Sequence, residues 1–137
     1  DKDVMLEAVQ QSGGALQFAE GGLRADYDLV LEALRQDGEA LQFAEEGLRA
    51  DFDVVIEAVM QNGFALRHAS DFFKADKDVV REAVKQKGGA LQFAEDRRGW
   101  WNELDGGLQA DHELVLEAVK QDGDALRFAE GGLRGNR

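Results

Sequence analysis

The sequence predicts an all-α fold, an α-solenoid of five short helix-turn-helix repeats of about 25 residues. Two observations lead to it. The chain contains five copies of one sequence repeat, and the second and fifth copies are identical at 17 of 25 positions. Within each unit, apolar residues recur at helical spacing. Repetition at a fixed period, in helices too short to form a core alone, is typical of a solenoid.

The whole chain, residues 1–137, is therefore interpreted as a single repeat array. The predicted repeats are residues 1–25, 26–50, 51–75, 76–110 and 111–137, and the fourth contains an insertion at residues 96–105. These repeats are called the first to fifth units below.

Each unit opens with Asp-x-Asp or Asp-x-Glu, as at Asp26 and Asp28. An aspartate at this place caps the first amides of a helix, and a second acid favours the positive end of its dipole. The pattern predicts a long helix of about ten residues, Tyr27–Gln36 in the second unit. Calcium is the competing interpretation, but too few oxygen ligands follow for an EF-hand, so no metal is predicted.

The long helix is predicted to end at a glycine that occurs in every unit and acts as a left-handed C-cap. These glycines are Gly13, Gly38, Gly63, Gly88 and Gly123. A shorter second helix is predicted to follow, over residues 40–46 in the second unit.

Every long helix also carries a Glu and a Gln four residues apart, as in Glu57 and Gln61. Catalysis is one interpretation, but five identical copies favour a structural ladder between repeats, with Arg24, Arg49 and their equivalents as partners. No phosphate-loop, dinucleotide, triad or zinc motif is present in the sequence. We therefore expect no enzyme and no cofactor.

The composition excludes several further classes of protein and site. The formal charge of −12 argues against a nucleic-acid binder, since such a protein must neutralise phosphates. Cysteine is absent, which excludes disulfides and thiolate metal sites. No apolar run approaches the roughly 18 residues of a membrane helix, so no transmembrane segment is predicted.

The repeated pattern Asp-x-Asp/Glu-φ-Val-φ-Glu-Ala-Val-x-Gln-x-Gly-x-Ala-Leu-x-Phe-Ala-x-x-x-Leu, where φ is apolar, resembles the helical repeats grouped as domain of unknown function 4116. The resemblance covers the chain except residues 96–105. It implies helical repeats of a kind found in bacteria and unicellular eukaryotes, including algae, and it implies no catalytic residue.

Three places depart from the repeated pattern. The first is the insertion, which holds both tryptophans of the chain, Trp100 and Trp101, behind Arg97 and Arg98. Tryptophan and arginine are enriched at binding hot spots, which predicts contact with a partner. The alternative is that a tryptophan folds back over an edge of its own array.

The second departure lies in the fourth long helix, where Lys77, Arg81 and Lys85 form a stripe at i, i+4 and i+8. This basic edge on an acidic protein suits an acidic partner segment or a lipid headgroup. The alternative is that Arg81 extends out of a gap with its stem still packed.

The third departure is the apolar stripe of Phe52, Ile56 and Met60, followed by Phe72 and Phe73. Core between repeats is the favoured interpretation, and a groove for a partner helix is the alternative. His68 replaces the phenylalanine of the second helix and is expected to be buried or half-buried.

Together these features predict a non-catalytic scaffold or accessory subunit that docks into a larger protein assembly. If the start at Asp1 reflects processing and the source is an alga, the resemblance favours an organellar or photosynthetic complex. The alternative is a free peptide-binding module whose concave face has Tyr27, Phe52, Ile56 and Met60 as its floor.

Overall fold

A computed structural model describes residues 1–94 and 107–125, and every regular element in these stretches is helical. Each unit contains a long α-helix followed by a 3₁₀ helix. The long helices are Lys2–Gln11, Tyr27–Gln36, Phe52–Gln61, Lys77–Gln86 and Gly107–Gln121. The 3₁₀ helices after them are Gly13–Phe18, Gly38–Phe43, Gly63–His68, Gly88–Phe93 and Gly123–Ala125.

Short helical segments link the first four units. They are the 3₁₀ turn Gly21–Ala25 and the α-helical turns Glu46–Arg49 and Asp71–Lys74. Successive segments are joined through backbone atoms: the N–H of Glu45 donates to the carbonyl of Arg24, and that of Ser70 to the carbonyl of Arg49, both at 3.0 Å.

The predicted start of the long helix is confirmed in the first four units. The side chains of Asp1, Asp26, Asp51 and Asp76 each accept a hydrogen bond from an amide of the first turn. In the second unit the helix has the predicted bounds, Tyr27–Gln36.

Successive units pack in two layers. Each long helix contacts the long helix of the next unit, and each 3₁₀ helix contacts the next 3₁₀ helix. A long helix also contacts the 3₁₀ helices of its own unit and the preceding one. The core lies between the layers, where Leu29, Val30, Ala33, Leu34 and Leu41 of the second unit are fully buried. Burial of this apolar area is what stabilises helices that are only ten residues long.

The glycine after each long helix has a different role from the one predicted. Among the glycines of residues 1–94 and 107–125, the one with positive φ is Gly21, at 61°, whereas the helix itself ends at an extended residue such as Asp37, with φ −154°. Gly38 is buried, and a β-carbon built on it would lie 2.4 Å from the Ala58 carbonyl of the next unit. Gly13, Gly63 and Gly88 meet the next long helix in the same way. The left-handed cap is therefore wrong, and close packing between units explains these glycines.

The second helix also differs from the prediction for residues 40–46. It is a 3₁₀ helix that begins at the glycine, Gly38–Phe43 in the second unit. The fifth long helix begins at Gly107, before the Asp111 at which the pattern predicts its start. Local sequence does not decide where this helix begins. Residues 106–110 are nearly identical in sequence to Gly21–Ala25, yet Gly21–Ala25 forms a separate turn in the first unit.

Candidate partner-binding face

The second, sixth and tenth residues of each of the first four units form one face of the long-helix layer, called the outer face below. Side chains at this spacing lie on the same side of a helix. In the second, third and fourth units, residues four, five, eight and nine of these helices point into the core and are buried, as in Val54, Val55, Ala58 and Val59, whereas Val4 of the first unit is 68% exposed. Because neighbouring long helices are in contact, their outer residues form adjacent rows.

The third unit places Phe52, Ile56 and Met60 on the outer face. Phe52 is 48% exposed and Met60 is 53% exposed, whereas Ile56 is half-buried against the core. The interpretation of this stripe as core between repeats is therefore wrong for Phe52 and Met60. Only one arc of a helix can face both the 3₁₀ layer and its neighbours, and these two side chains lie outside it.

Aromatic rings extend this exposed area. The ring centroids of Phe52 and Phe73 lie 6.1 Å apart, and Phe73 is buried. The ring centroids of Phe73 and Phe72 lie 5.2 Å apart, and Phe72 is 67% exposed. Tyr27, 41% exposed, belongs to the neighbouring row. Its pKa is raised by partial burial and by the carboxylates of Asp53 and Asp51, which lie at the start of the third long helix. The exposed side chains Tyr27, Phe52, Met60 and Phe72, with Ile56 between them, are called the apolar patch.

The next row is basic. Lys77, Arg81 and Lys85 occupy the outer face of the fourth unit, and Arg81 and Lys85 are exposed. Arg81 makes a long ion pair, 4.0 Å, with Asp78 of its own helix. The apolar patch is thus bordered on one side by a row of cations, called the basic row.

On the other side of the apolar patch, Arg35 is the tenth residue of the second unit and corresponds to Met60 and Lys85. It lies 3.6 Å from Glu57 of the third long helix and 3.6 Å from Glu32 of its own. The apolar patch is therefore bordered by paired charges towards the second unit and by the less paired basic row towards the fourth.

The predicted contact residues Arg97, Arg98, Trp100 and Trp101 lie outside the described residues. Their contact with a partner stays a prediction.

The repeated glutamines join neighbouring units through backbone groups. Gln61 Oε1 accepts a hydrogen bond from the N–H of Gly38 at 2.8 Å, and Gln61 Nε2 lies 3.5 Å from the carbonyl of Gln36. Gln121 Nε2 donates to the carbonyl of Lys85 at 2.6 Å. The predicted ladder to arginine is wrong for Arg24, whose guanidinium donates to carbonyls of its own unit.

A polar cluster in the third unit was only partly predicted. His68 is half-buried, as expected, and its Nε2 lies 2.9 Å from Glu39 of the second unit. Arg67 donates to the same carboxylate oxygen at 2.6 Å. Burial raises the pKa of Glu39, but the hydrogen bonds from His68 and Arg67 outweigh it and hold that pKa below its ordinary value. Sequence reasoning singled out neither Arg67 nor Ser70, although both depart from the residues at their positions in the first two units.

Residues 1–94 and 107–125 contain no group of three or more His, Cys, Asp or Glu side chains arranged to hold a metal ion. Within the same residues, no helix is both long and apolar enough to cross a membrane.

A family model described as "Domain of unknown function (DUF4116)" matches residues 1–49 and again residues 51–97. Each match spans almost two successive units. Comparison with curated proteins and with solved structures finds no match.

Proposed function

This chain belongs to the family described as domain of unknown function 4116. We propose that it is a non-catalytic helical-repeat scaffold whose five units stack as an α-solenoid and hold a protein partner on the outer face. The repeated packing of each long helix on the next supports this architecture.

One observation carries the binding proposal, namely the apolar patch beside the basic row. Exposed apolar side chains grouped in this way are uncommon on a monomer surface and mark interaction sites. Aromatic residues and methionine are also enriched at the centres of interfaces, while a charged rim supplies specificity.

The chemistry of the two rows defines the partner. An amphipathic helix presents apolar anchors at i, i+3, i+4 and i+7, and these would lie on Phe52, Ile56 and Met60. Acidic residues on the flank of that helix would face Lys77, Arg81 and Lys85. The occupant is therefore an acidic amphipathic helix of a partner protein.

Panning a displayed library of amphipathic helical peptides against the protein tests this directly. Enriched peptides should carry Asp or Glu on one flank. Their affinity should fall at least about tenfold on Met60→Glu and on Lys85→Glu, because the first change puts a carboxylate in the apolar contact and the second reverses a rim charge.

Gln10→Glu is the matched control, since Gln10 occupies the same tenth position in the first unit, away from the apolar patch. It should leave affinity unchanged. Circular dichroism should show equal helix content in all variants, because Met60, Lys85 and Gln10 are exposed. Enrichment of peptides that bind Met60→Glu as well as the wild type would overturn the assignment of this face.

Membership of a larger assembly is tested separately, by size-exclusion chromatography with mass detection on protein isolated from its source. Elution in a large complex would support an accessory subunit. Elution as a monomer would favour the alternative, a free peptide-binding module that uses the same face.

A further inference from the structure

A polar cleft lies between the second and third units. It has a volume of about 280 Å³, and its charged and polar lining includes Arg49, Arg67, His68, Ser70 and Lys74. We propose that this cleft binds a phosphate group, either as inorganic phosphate or as a small phosphate monoester. The proposal is independent of the partner on the outer face.

Two of the residues that line the cleft each carry a buried polar atom without a hydrogen-bond partner. Arg49 Nε and Ser70 Oγ are inaccessible to solvent and have no hydrogen-bond partner among the described residues. Ser70 precedes the turn Asp71–Lys74, yet its side chain makes no capping bond to that turn. Buried polar atoms are nearly always hydrogen-bonded, so an unpaired donor indicates a missing acceptor. A guanidinium and a hydroxyl can both donate hydrogen bonds to the oxygens of one anion.

The array contains its own comparison for Arg49. Arg24 has the same place in the first unit and lines the equivalent cleft between the first and second units. There Arg24 Nε donates to the carbonyl of Ala19 at 3.1 Å, and a second guanidinium nitrogen donates to the carbonyl of Gln17. The corresponding nitrogen of Arg49 makes no such bond. Arg24 is therefore tied to its own backbone, while Arg49 retains a free donor.

The side chains around Arg49 have changed in the same direction. Gln42, Phe43 and Glu45 of the second unit correspond to Arg67, His68 and Ser70 of the third. With His68 neutral, the formal charge at these three positions rises from −1 to +1. The wall that carries a carboxylate in the first cleft carries a hydroxyl and a guanidinium in the second.

The carboxylates near this cleft define which groups do the binding. Glu39 already holds Arg67 and His68, at 2.6 Å and 2.9 Å. The Asp71 side chain is mostly exposed, and its carboxylate lies 3.8 Å from Lys74 Nζ, whose side chain is only 20% exposed. Glu46 also lines the cleft and is exposed. The principal donors are therefore Arg49, Ser70 and Lys74. Donors from three side chains suit the several oxygens of a phosphate better than the two of a carboxylate.

Titration of the full chain with inorganic phosphate, O-phosphoserine and acetate, at constant ionic strength and in a phosphate-free buffer, tests the proposal. Amide chemical shifts measured by NMR report where each anion binds. Saturable shifts at Arg49, Ser70 and Lys74 are expected with phosphate and O-phosphoserine, and affinity for acetate should be at least about tenfold lower. A response to inorganic phosphate without one to O-phosphoserine would limit the site to the free ion.

Ser70→Glu is the decisive variant, because glutamate is the residue found at this position in the first two units. It should fold normally and lose phosphate binding by at least about tenfold. Arg24→Gln, in the equivalent cleft, should leave binding unchanged. The proposal is overturned if the wild-type shifts equal those of a chloride control, or if Ser70→Glu binds phosphate as the wild type does.

Discussion

Gly38 lies directly against the carbonyl oxygen of Ala58, so a β-carbon at Gly38 would be 2.4 Å from that oxygen. The contact crosses from one unit to the next, and the N–H of the same glycine donates to Gln61 Oε1. The contact is between backbone atoms of two neighbouring units, so neither side can move away easily to make room for a larger side chain at Gly38.

Gly38→Ala should therefore lower the free energy of unfolding by about 1–3 kcal/mol or more, as overpacking does in a closely packed core. Urea denaturation followed by circular dichroism measures the change. Gly47→Ala is the control, because a β-carbon at Gly47 meets nothing within 4 Å and its φ is not positive. It should be neutral, or should stabilise by up to about 1 kcal/mol. Equal stability of Gly38→Ala and the wild type would contradict the close approach.

Gln61→Ala removes the acceptor of the Gly38 N–H and should cost about 1 kcal/mol, since water reaches the exposed Gln61 and replaces part of the bond. Gln61→Glu keeps an acceptor at this place and should lose less. The control is Gln42→Ala, because Gln42 donates to the carbonyl of Glu39 within its own unit. A Gln61→Ala variant no less stable than Gln42→Ala would show that the bond between units contributes nothing.

Glu39 makes stability depend on pH in the acid range. Its pKa is lower in the folded chain than the ordinary 4.5, so the unfolded chain binds the proton more readily. This stabilisation is complete above pH 4.5 and is lost as pH falls through the folded pKa. Urea midpoints measured from pH 6 to pH 3 should therefore fall more steeply for the wild type than for Glu39→Gln. The depressed pKa of Asp26 is common to both proteins, so parallel curves would exclude the contribution of Glu39.

Tyr27 is the one tyrosine of the chain, so the tyrosine absorbance reports the ionisation of this one residue on the outer face. Partial burial, followed by the negative charges of Asp53 and Asp51, raises its pKa above 10.0. Absorbance of the tyrosinate should give a midpoint above 10.0, and Asp53→Asn should lower it. The unfolded chain releases this proton first, so stability should fall as pH rises past 10.0. A wild-type midpoint at or below 10.0 would be incompatible with the described surroundings of Tyr27.

The first four long helices were predictable from sequence because the information that places their starts is local. In these four units an aspartate before an apolar pattern marks where the helix begins, and Tyr27–Gln36 has the predicted bounds. The second helix was not predictable in detail, since six residues such as Gly38–Phe43 cannot separate a period of 3.0 from one of 3.6. The reason for Gly38 lies in another unit, at Ala58, and is invisible to any rule about helix ends.

The candidate surfaces show the same division. The basic row followed from comparing three positions across units, whereas the exposure of Phe52 and Met60 depends on how whole helices pack and is not visible in the sequence. Arg67 and Ser70 could have been found by the same comparison of units. The unpaired state of Arg49 could not, because Arg24 and Arg49 are the same residue type at the same position and differ only in their bonds.

The links from Glu45 to Arg24 and from Ser70 to Arg49 use only backbone atoms, so the side chains beside them are not needed to hold neighbouring units together. A glutamate can become a serine there, and the union of the two units keeps the same 3.0 Å bond. The backbone of this residue thus attaches one unit to the next, and its side chain can differ between units. A chain built in this way can acquire a new binding surface one unit at a time while its neighbours remain as they were.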